Sequence, residues 1–324
     1  KDMFYRVAKT KDEKEKPGYP AWGEEMTVKT NNGINYNNLI RLSEKPDRVY
    51  NFLSIYNGRP SVMVSEDAGR SWSSDSAFMT GGSGGATPYS KFADNGRDRI
   101  DMIYTDGHPR KEPGNNIYHM YFHKGNFYRS DGAFISTLSE AKKKPLLPEA
   151  GARIYDGANE KPGWVWDIEY DGFSNPVAAF ISSADGATGN DLRYHYAKWD
   201  AGKKQWIEKQ VAFAGSRLYV PENHFAGGIC IDPRNVNVVY ISSNVNPETG
   251  SEATSRRYQL YRGVTSDNGE SWKWEQLTFD TDKDNLRPIV PRGHVYNICV
   301  VWQALHDNAG STQFTSEILG IFQK

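Results

Sequence analysis

Two short stretches of this chain repeat one another: Ser65-Glu-Asp67-Ala-Gly69-Arg-Ser-Trp72 and Thr265-Ser-Asp267-Asn-Gly269-Glu-Ser-Trp272. Both read Ser/Thr-x-Asp-x-Gly-x-x-Trp, and each follows a β-rich run, at 59–64 and 258–264. The spacing has a mechanical reason. A short carboxylate accepts hydrogen bonds from turn amides, glycine takes the positive φ such a turn needs, and the tryptophan returns to bury a large apolar ring. A hairpin of this kind that recurs along a chain marks repeated β units. Its aspartates read as turn formers rather than catalytic carboxylates.

Strand and hairpin patterns fill the rest of the chain, and helical periodicity is almost absent. One short polar candidate helix, 137–144, runs into Pro145. A first complete unit spans 40–64 and ends in the first repeat. A second follows the glycine-rich tract 81–85 and runs from Tyr89 to Tyr128. A third carries strands near 164–169, 176–182 and 192–199, with a degraded version of the aspartate turn at Asp200-Ala-Gly202-Lys-Lys-Gln-Trp206. The fourth runs from Phe225 to the second repeat, and the last contains 288–290, 298–302 and 314–321. A spacing of roughly 40–60 residues suits the blades of a β-propeller with loop insertions. The chain therefore reads as one all-β propeller domain, 1–324, with an incomplete first blade that supplies only outer strands. The inner strands of that blade come either from the C-terminus or from residues upstream of Lys1, and upstream loss is preferred.

Composition narrows the function classes. A formal charge of −1 gives no general attraction to nucleic acid, although it leaves room for a local basic patch around an anionic ligand. No apolar run is long enough to span a bilayer, so no membrane insertion is expected. Cys230 and Cys299 lie in apolar runs and read as buried free thiols, with a disulfide left open. The chain opens at Lys1-Asp-Met-Phe-Tyr without a signal peptide, as a mature or trimmed product would.

In a propeller, each innermost strand starts at one face and the second strand ends there, so those positions ring the central channel. The inner-strand starts are Tyr36-Asn37, Tyr89, Trp166-Asp167, His224 and Arg287. The second-strand ends are Ser54 to Tyr56, Asp106-Gly-His108, Asn244 and Trp302-Gln303. A set rich in Tyr, His, Arg and Trp suits a carbohydrate that bears an anionic group. Each of these has a packing alternative. Tyr36 reads as a structural aromatic or as a catalytic or sugar-stacking one, Trp166 as interblade packing or a stacking platform, and Arg217 as a solvated loop residue or a carboxylate ligand. The Lys142-Lys-Lys144 run reads as a solvated loop. His119, His123 and His195 read as surface or interblade groups, and the scattered histidines show no zinc spacing. No cofactor is required by this reading, and a structural calcium bound by loop oxygens stays open.

Several stretches carry a resemblance. Gly33-Ile-Asn-Tyr36-Asn-Asn-Leu, Pro88-Tyr89-Ser-Lys91, Thr105-Asp-Gly-His108-Pro-Arg110, Asn115-Asn-Ile-Tyr118, Phe127-Tyr-Arg-Ser-Asp-Gly132, His224-Phe-Ala-Gly-Gly228 and Asn285-Leu-Arg287-Pro-Ile-Val-Pro291, with the two aspartate turns as Asp boxes, together resemble the neuraminidase-repeat propellers of ulvan lyases. Rhamnosyl-glucuronate lyases and α-L-rhamnosidases belong to the same superfamily. The resemblance implies a seven-bladed propeller acting on acidic polysaccharide that contains rhamnose and uronate, by β-elimination at rhamnose–glucuronate linkages. It also implies a secreted or periplasmic protein. Tyr36, His108 and His224 are then the catalytic candidates, and Tyr89, Trp166, Arg217 and Arg287 the substrate-binding ones. Tyr36 fits the tyrosine of such lyases. Their arginine falls near Ser54, where this chain has none, and their histidine pair would lie upstream of Lys1. An exo-α-L-rhamnosidase and a glycan-binding propeller without turnover are the alternatives. A sialidase would need three spaced arginines and a Tyr–Glu pair, which the sequence does not assemble.

Overall fold

The computed structural model describes residues 2–8, 22–30, 33–55, 58–81, 87–184, 188–220, 222–253, 255–306 and 314–324. Most of the glycine-rich tract, and Tyr56, lie outside the described residues. The chain opens with β1 (Met3–Tyr5) and β2 (Met26–Val28), a two-stranded antiparallel sheet. Five larger sheets follow in a β-propeller arrangement. Blade 1 holds β3 (Ile34–Arg41), β4 (Val49–Ile55), β5 (Pro60–Ser65) and β6 (Ser76–Ala77). Blade 2 holds β7 (Ser90–Asp94), β8 (Arg99–Thr105), β9 (Ile117–His123), β10 (Asn126–Arg129) and β11 (Phe134–Thr137), after which α1 (Leu138–Lys143) leads to β12 (Ala152–Tyr155), which pairs with β9. Blade 3 is β13 (Gly163–Tyr170), β14 (Pro176–Ser183), β15 (Leu192–Asp200) and β16 (Gln205–Gly215). Blade 4 is β17 (Gly228–Ile231), β18 (Val238–Ser243), β19 (Gln259–Val264) and β20 (Lys273–Gln276). Blade 5 has three strands, β21 (Asp284–Ile289), β22 (Ile298–Leu305) and β23 (Ser316–Gln323).

The cores lie between blades. Every residue of β14 and of β18 is buried, as continuous apolar strands flanked by sheets on both faces must be. Phe52 of blade 1 packs with Phe92 and Phe122 of blade 2, and Ile168 and Phe180 of blade 3 meet Ile103 and Ile117. Burying each such side chain contributes about 1.5–3 kcal/mol. Cys230 and Cys299 are both buried and free, in the core between blades 4 and 5. Helix α1, the one α-helix among the described residues, is set by a reciprocal capping box between Thr137 and Glu140. Lys142 and Lys143 form its last turn, where their charge complements the exposed carbonyls, so that run is not a loop.

The two Asp boxes adopt the same geometry. Asp67 Oδ1 accepts from Ser65 Oγ and Ser71 N, each at 2.8 Å; Asp267 Oδ1 accepts from Thr265 Oγ1 at 2.7 Å and Ser271 N at 2.9 Å. Gly69 and Gly269 have φ of 89° and 90°. Each tryptophan reaches toward the preceding sheet. Trp272 meets Tyr196 of blade 3 edge-on at 5.4 Å, and Trp72 meets Tyr5 of β1 edge-on at 6.0 Å. The β1–β2 sheet thus stands to blade 1 as blade 3 stands to blade 4.

Candidate functional site

Three of the innermost strands bulge at the residue that faces the propeller axis. The register shifts between Asn35 and Asn38 in β3, between Val165 and Asp167 in β13, and between Leu286 and Ile289 in β21. The residues thrown out of register are Tyr36-Asn37, Trp166 and Arg287-Pro288. A bulge re-aims side chains at the expense of ladder hydrogen bonds. Tyr36 and Arg287 also take left-handed backbone, with φ of 52° and 53°, which costs about 1 kcal/mol or more at a non-glycine residue. Local bonds hold both conformations. Asn38 Nδ2 donates to the carbonyls of Tyr36 (2.7 Å) and Phe52 (3.0 Å), and Arg287 N donates to Gly227 O (2.6 Å). Gly228, with φ of 119°, lets the Trp166 ring press on the backbone: an added Cβ would sit 3.0 Å from it.

These residues line an axial cavity of about 1040 Å³. Its wall is a chain of aromatic contacts. Tyr36 meets Tyr89 at 6.0 Å, Tyr89 meets His108 at 5.5 Å and Trp164 at 5.4 Å, and Trp164 and Trp166 meet Phe225 at 5.6 and 4.9 Å. Such faces suit the C–H side of a sugar ring. Tyr36 is 65% exposed, and burial together with the neighbouring Tyr36 hydroxyl pushes Tyr89 up to about 12.

The turn that carries His108 is fixed from below. Asn115 accepts from Gly107 N (2.9 Å) and donates to Gly163 O (2.7 Å), while Asp106 accepts from the backbone and side chain of Asn116. His108 Nδ1 accepts from Arg110 N at 3.2 Å, which leaves its proton on Nε2, 3.3 Å from Glu222 Oε2. Desolvation lowers the His108 pKa against the pull of Glu222, so the ring is neutral at pH 7. Glu222 in turn binds Arg110.

The floor carries charge. Lys91 and Arg287 face the cavity, and among the described residues neither has a carboxylate within ion-pair distance. Asp167 accepts from Ile231 N (2.8 Å) and Ile168 N (2.9 Å), and burial raises it to about 6. Burial and the Asp167 charge raise Glu169 to about 7, although Arg292 binds both its oxygens and also reaches Asp94 at 3.0 Å. That one guanidinium ties blades 2, 3 and 5 across the axis. No three His, Cys, Asp or Glu side chains meet as metal ligands among the described residues.

Of the sequence candidates, the fold brings Tyr36, Tyr89, His108, Trp166 and Arg287 together. His224 and Arg217 are not in the wall. His224 precedes β17 by four residues and is buried, with Nδ1 2.5 Å from Ser183 Oγ. Arg217 folds back to donate to Thr188 O. Of the strand-end candidates, Asn244 locks the turn at Ser216, and Trp302 is buried with Nε1 on Asn285 Oδ1 at 2.7 Å. Lys91, Glu169, Glu222, Trp164 and Arg292 escaped the reading by residue type. One signal existed: Lys91 follows Tyr89 by two and Glu169 follows Asp167 by two, the spacing that shares a strand face.

The sequence matches no protein-family model and no curated protein. Solved structures do match. An ulvan lyase of polysaccharide lyase family PL25 superposes over 100% of this chain and 76% of its own, with a TM-score of 0.67 at 12% identity. An endo-arabinase from Bacteroides thetaiotaomicron covers 89% of this chain and 94% of its own at a TM-score of 0.44 and 14% identity. An α-L-arabinofuranosidase from Fusarium graminearum covers 89% and 82% at 0.47 and 12%. At these identities the likeness is one of fold, and the ulvan lyase carries it: this chain has a β-propeller fold.

Proposed function

We propose that this protein is a secreted or periplasmic, carbohydrate-active propeller that cleaves rhamnose–glucuronate linkages of an acidic polysaccharide by β-elimination. The observation that carries the reading is the axial cavity, in which an exposed tyrosine on a strained bulge and a neutral histidine stand above an unpaired arginine. The superposition with an ulvan lyase supports the same substrate class. In this reading the complete propeller has seven blades. The Trp72–Tyr5 contact, which repeats Trp272–Tyr196, supports β1–β2 as the outer strands of a further blade.

The chemistry asks for three things. The C5 proton of a uronate is weakly acidic, so positive charge must neutralise the carboxylate while the carbanion develops, and Arg287 supplies it. Tyr36 in its phenolate form removes that proton as the base. The electron pair then forms the C4–C5 double bond, the C4–O bond breaks, and the leaving oxygen takes the proton from the Tyr36 hydroxyl, which restores the phenolate, while His108 Nε2–H donates a hydrogen bond to that oxygen. Tyr89 and Trp166 hold the ring faces.

A second reading rests on the carboxylates. Glu169, raised to about 7, can donate a proton at neutral pH beside ionised Asp167, an acid and base pair suited to a glycoside hydrolase such as an exo-α-L-rhamnosidase. Incubation with ulvan-type or gum-type polysaccharide separates the cases. A rise in ultraviolet absorbance from unsaturated uronate is the expected result. Free rhamnose without that rise makes the protein a hydrolase, and binding without product makes it a lectin-like propeller.

A further inference from the structure

We infer that Lys91 and Arg287 together form a seat for the carboxylate of a uronate residue and set a preference for acidic over neutral glycan. The inference rests on the glycan-acting reading and deepens it. Lys91 leaves β7 on the same side as Tyr89 and lines the cavity as an exposed side chain. Arg287 lies with its guanidinium carbon 5.3 Å over the Phe225 ring. Other cations of these blades are paired. Arg99 binds Asp101, Arg110 binds Glu222, and Arg292 binds Glu169 and Asp94. Only here, among the cations of the described cavity wall, do two stand without a carboxylate in reach.

The two like charges oppose each other. Arg287 repels the Lys91 charge, while Asp167 attracts it from beyond ion-pair distance. The strained backbone of Arg287, kept by the bond to Gly227, fixes one of the two cations at this spot. A planar carboxylate supplies what is lacking. Its two oxygens accept from a guanidinium and an ammonium at once, and it removes the repulsion between them. The ring that bears it then lies against Tyr36, Tyr89 and Trp166, so one sugar unit satisfies both floor and wall.

The test is calorimetric titration of the full chain with a glucuronate-containing oligosaccharide, its carboxyl-reduced counterpart and a sulfated neutral one. The uronate ligand is expected to bind about tenfold or more tightly than the reduced one, the size of a charge-assisted contact. That preference should fade with added salt. Lys91→Met and Arg287→Gln should each collapse the ratio toward one, and Lys91→Arg should keep most of it. Failure to bind any of the three ligands would overturn the glycan reading itself. Equal binding of uronate and reduced ligands, or a preference untouched by salt or by both substitutions, would overturn the seat alone. Sulfated glycan binding as tightly as uronate, with the same sensitivity, would overturn the carboxylate assignment. The salt dependence needs no substitution, so it decides even where a variant fails to fold.

Discussion

Two aspartates in this propeller, one buried and one half-buried, stand in opposite circumstances. Asp101, on β8, has no solvent exposure, and its charge is met on every side: His119 Nε2 at 2.8 Å, Arg99 Nε at 2.6 Å and the Tyr170 hydroxyl. His119 in turn holds Ser130 Oγ at 2.8 Å, on which the Trp206 indole of blade 3 also donates. Desolvation pushes the Asp101 pKa up, but His119 and Arg99 outweigh it and the shift is downward. Asp167, on β13, has two backbone amides and a distant Lys91, so desolvation prevails. The first cluster has the residue types of a Ser–His–Asp triad and serves as a rivet between blades. The second has an open neighbour and an unmatched charge. Residue types in contact do not make a site; an unsatisfied group facing a cavity does.

Four substitutions can break or sharpen that contrast. The largest effect is expected at the rivet: Asp101→Asn strips a buried, paired charge and should cost about 3–5 kcal/mol in urea denaturation. A small loss would mean that the network is not holding the blades. Tyr36→Phe should do the reverse, lowering turnover by about a hundredfold or more while stability stays within about 0.5 kcal/mol. Product absorbance and a thermal melt read the two quantities, and unchanged turnover would remove Tyr36 from the chemistry.

Asp167 gives the pH test. Its folded pKa lies above the unfolded value, so the stability it contributes is present below about 3.8 and lost as pH rises through about 6. Asp167→Asn should therefore gain about 2 kcal/mol at pH 8 relative to pH 4. A loss at pH 8 would show the carboxylate to be satisfied after all. The smallest effect belongs to the boxes. Asp67 and Asp267 are held at about 2 by their serine and backbone donors, so their contribution lies above about 3.8 and fades as pH falls through about 2. Asp267→Asn should lower the melting temperature by a few degrees or less at pH 7 and leave turnover unchanged; a loss of turnover would tie the outer hairpin to the site.

What the sequence reveals follows the same division. The Asp boxes are legible because their geometry is local: eight residues contain the carboxylate and the hydroxyl and amide donors that bind it. Blade order is legible for the same reason, since each blade is a run of adjacent hairpins. The site is less so. It depends on bulges at Tyr36, Trp166 and Arg287, which no strand pattern announces, and on charges such as Lys91 and Glu222 that read like solvated positions. His224 lies off the wall because β17 starts four residues later, and Phe225 takes the wall position instead. Arg217 follows β16 in a loop whose course the sequence does not fix.

The account stands or falls on the axial cavity as the place where an acidic sugar sits. A crystal structure of the Tyr36→Phe protein with an intact rhamnose–glucuronate oligosaccharide tests that directly. The sugar should lie along the Tyr36–Tyr89–Trp164 wall with its carboxylate against Lys91 and Arg287. Sugar bound on an outer hairpin or between blades, with the cavity holding only water, would contradict it.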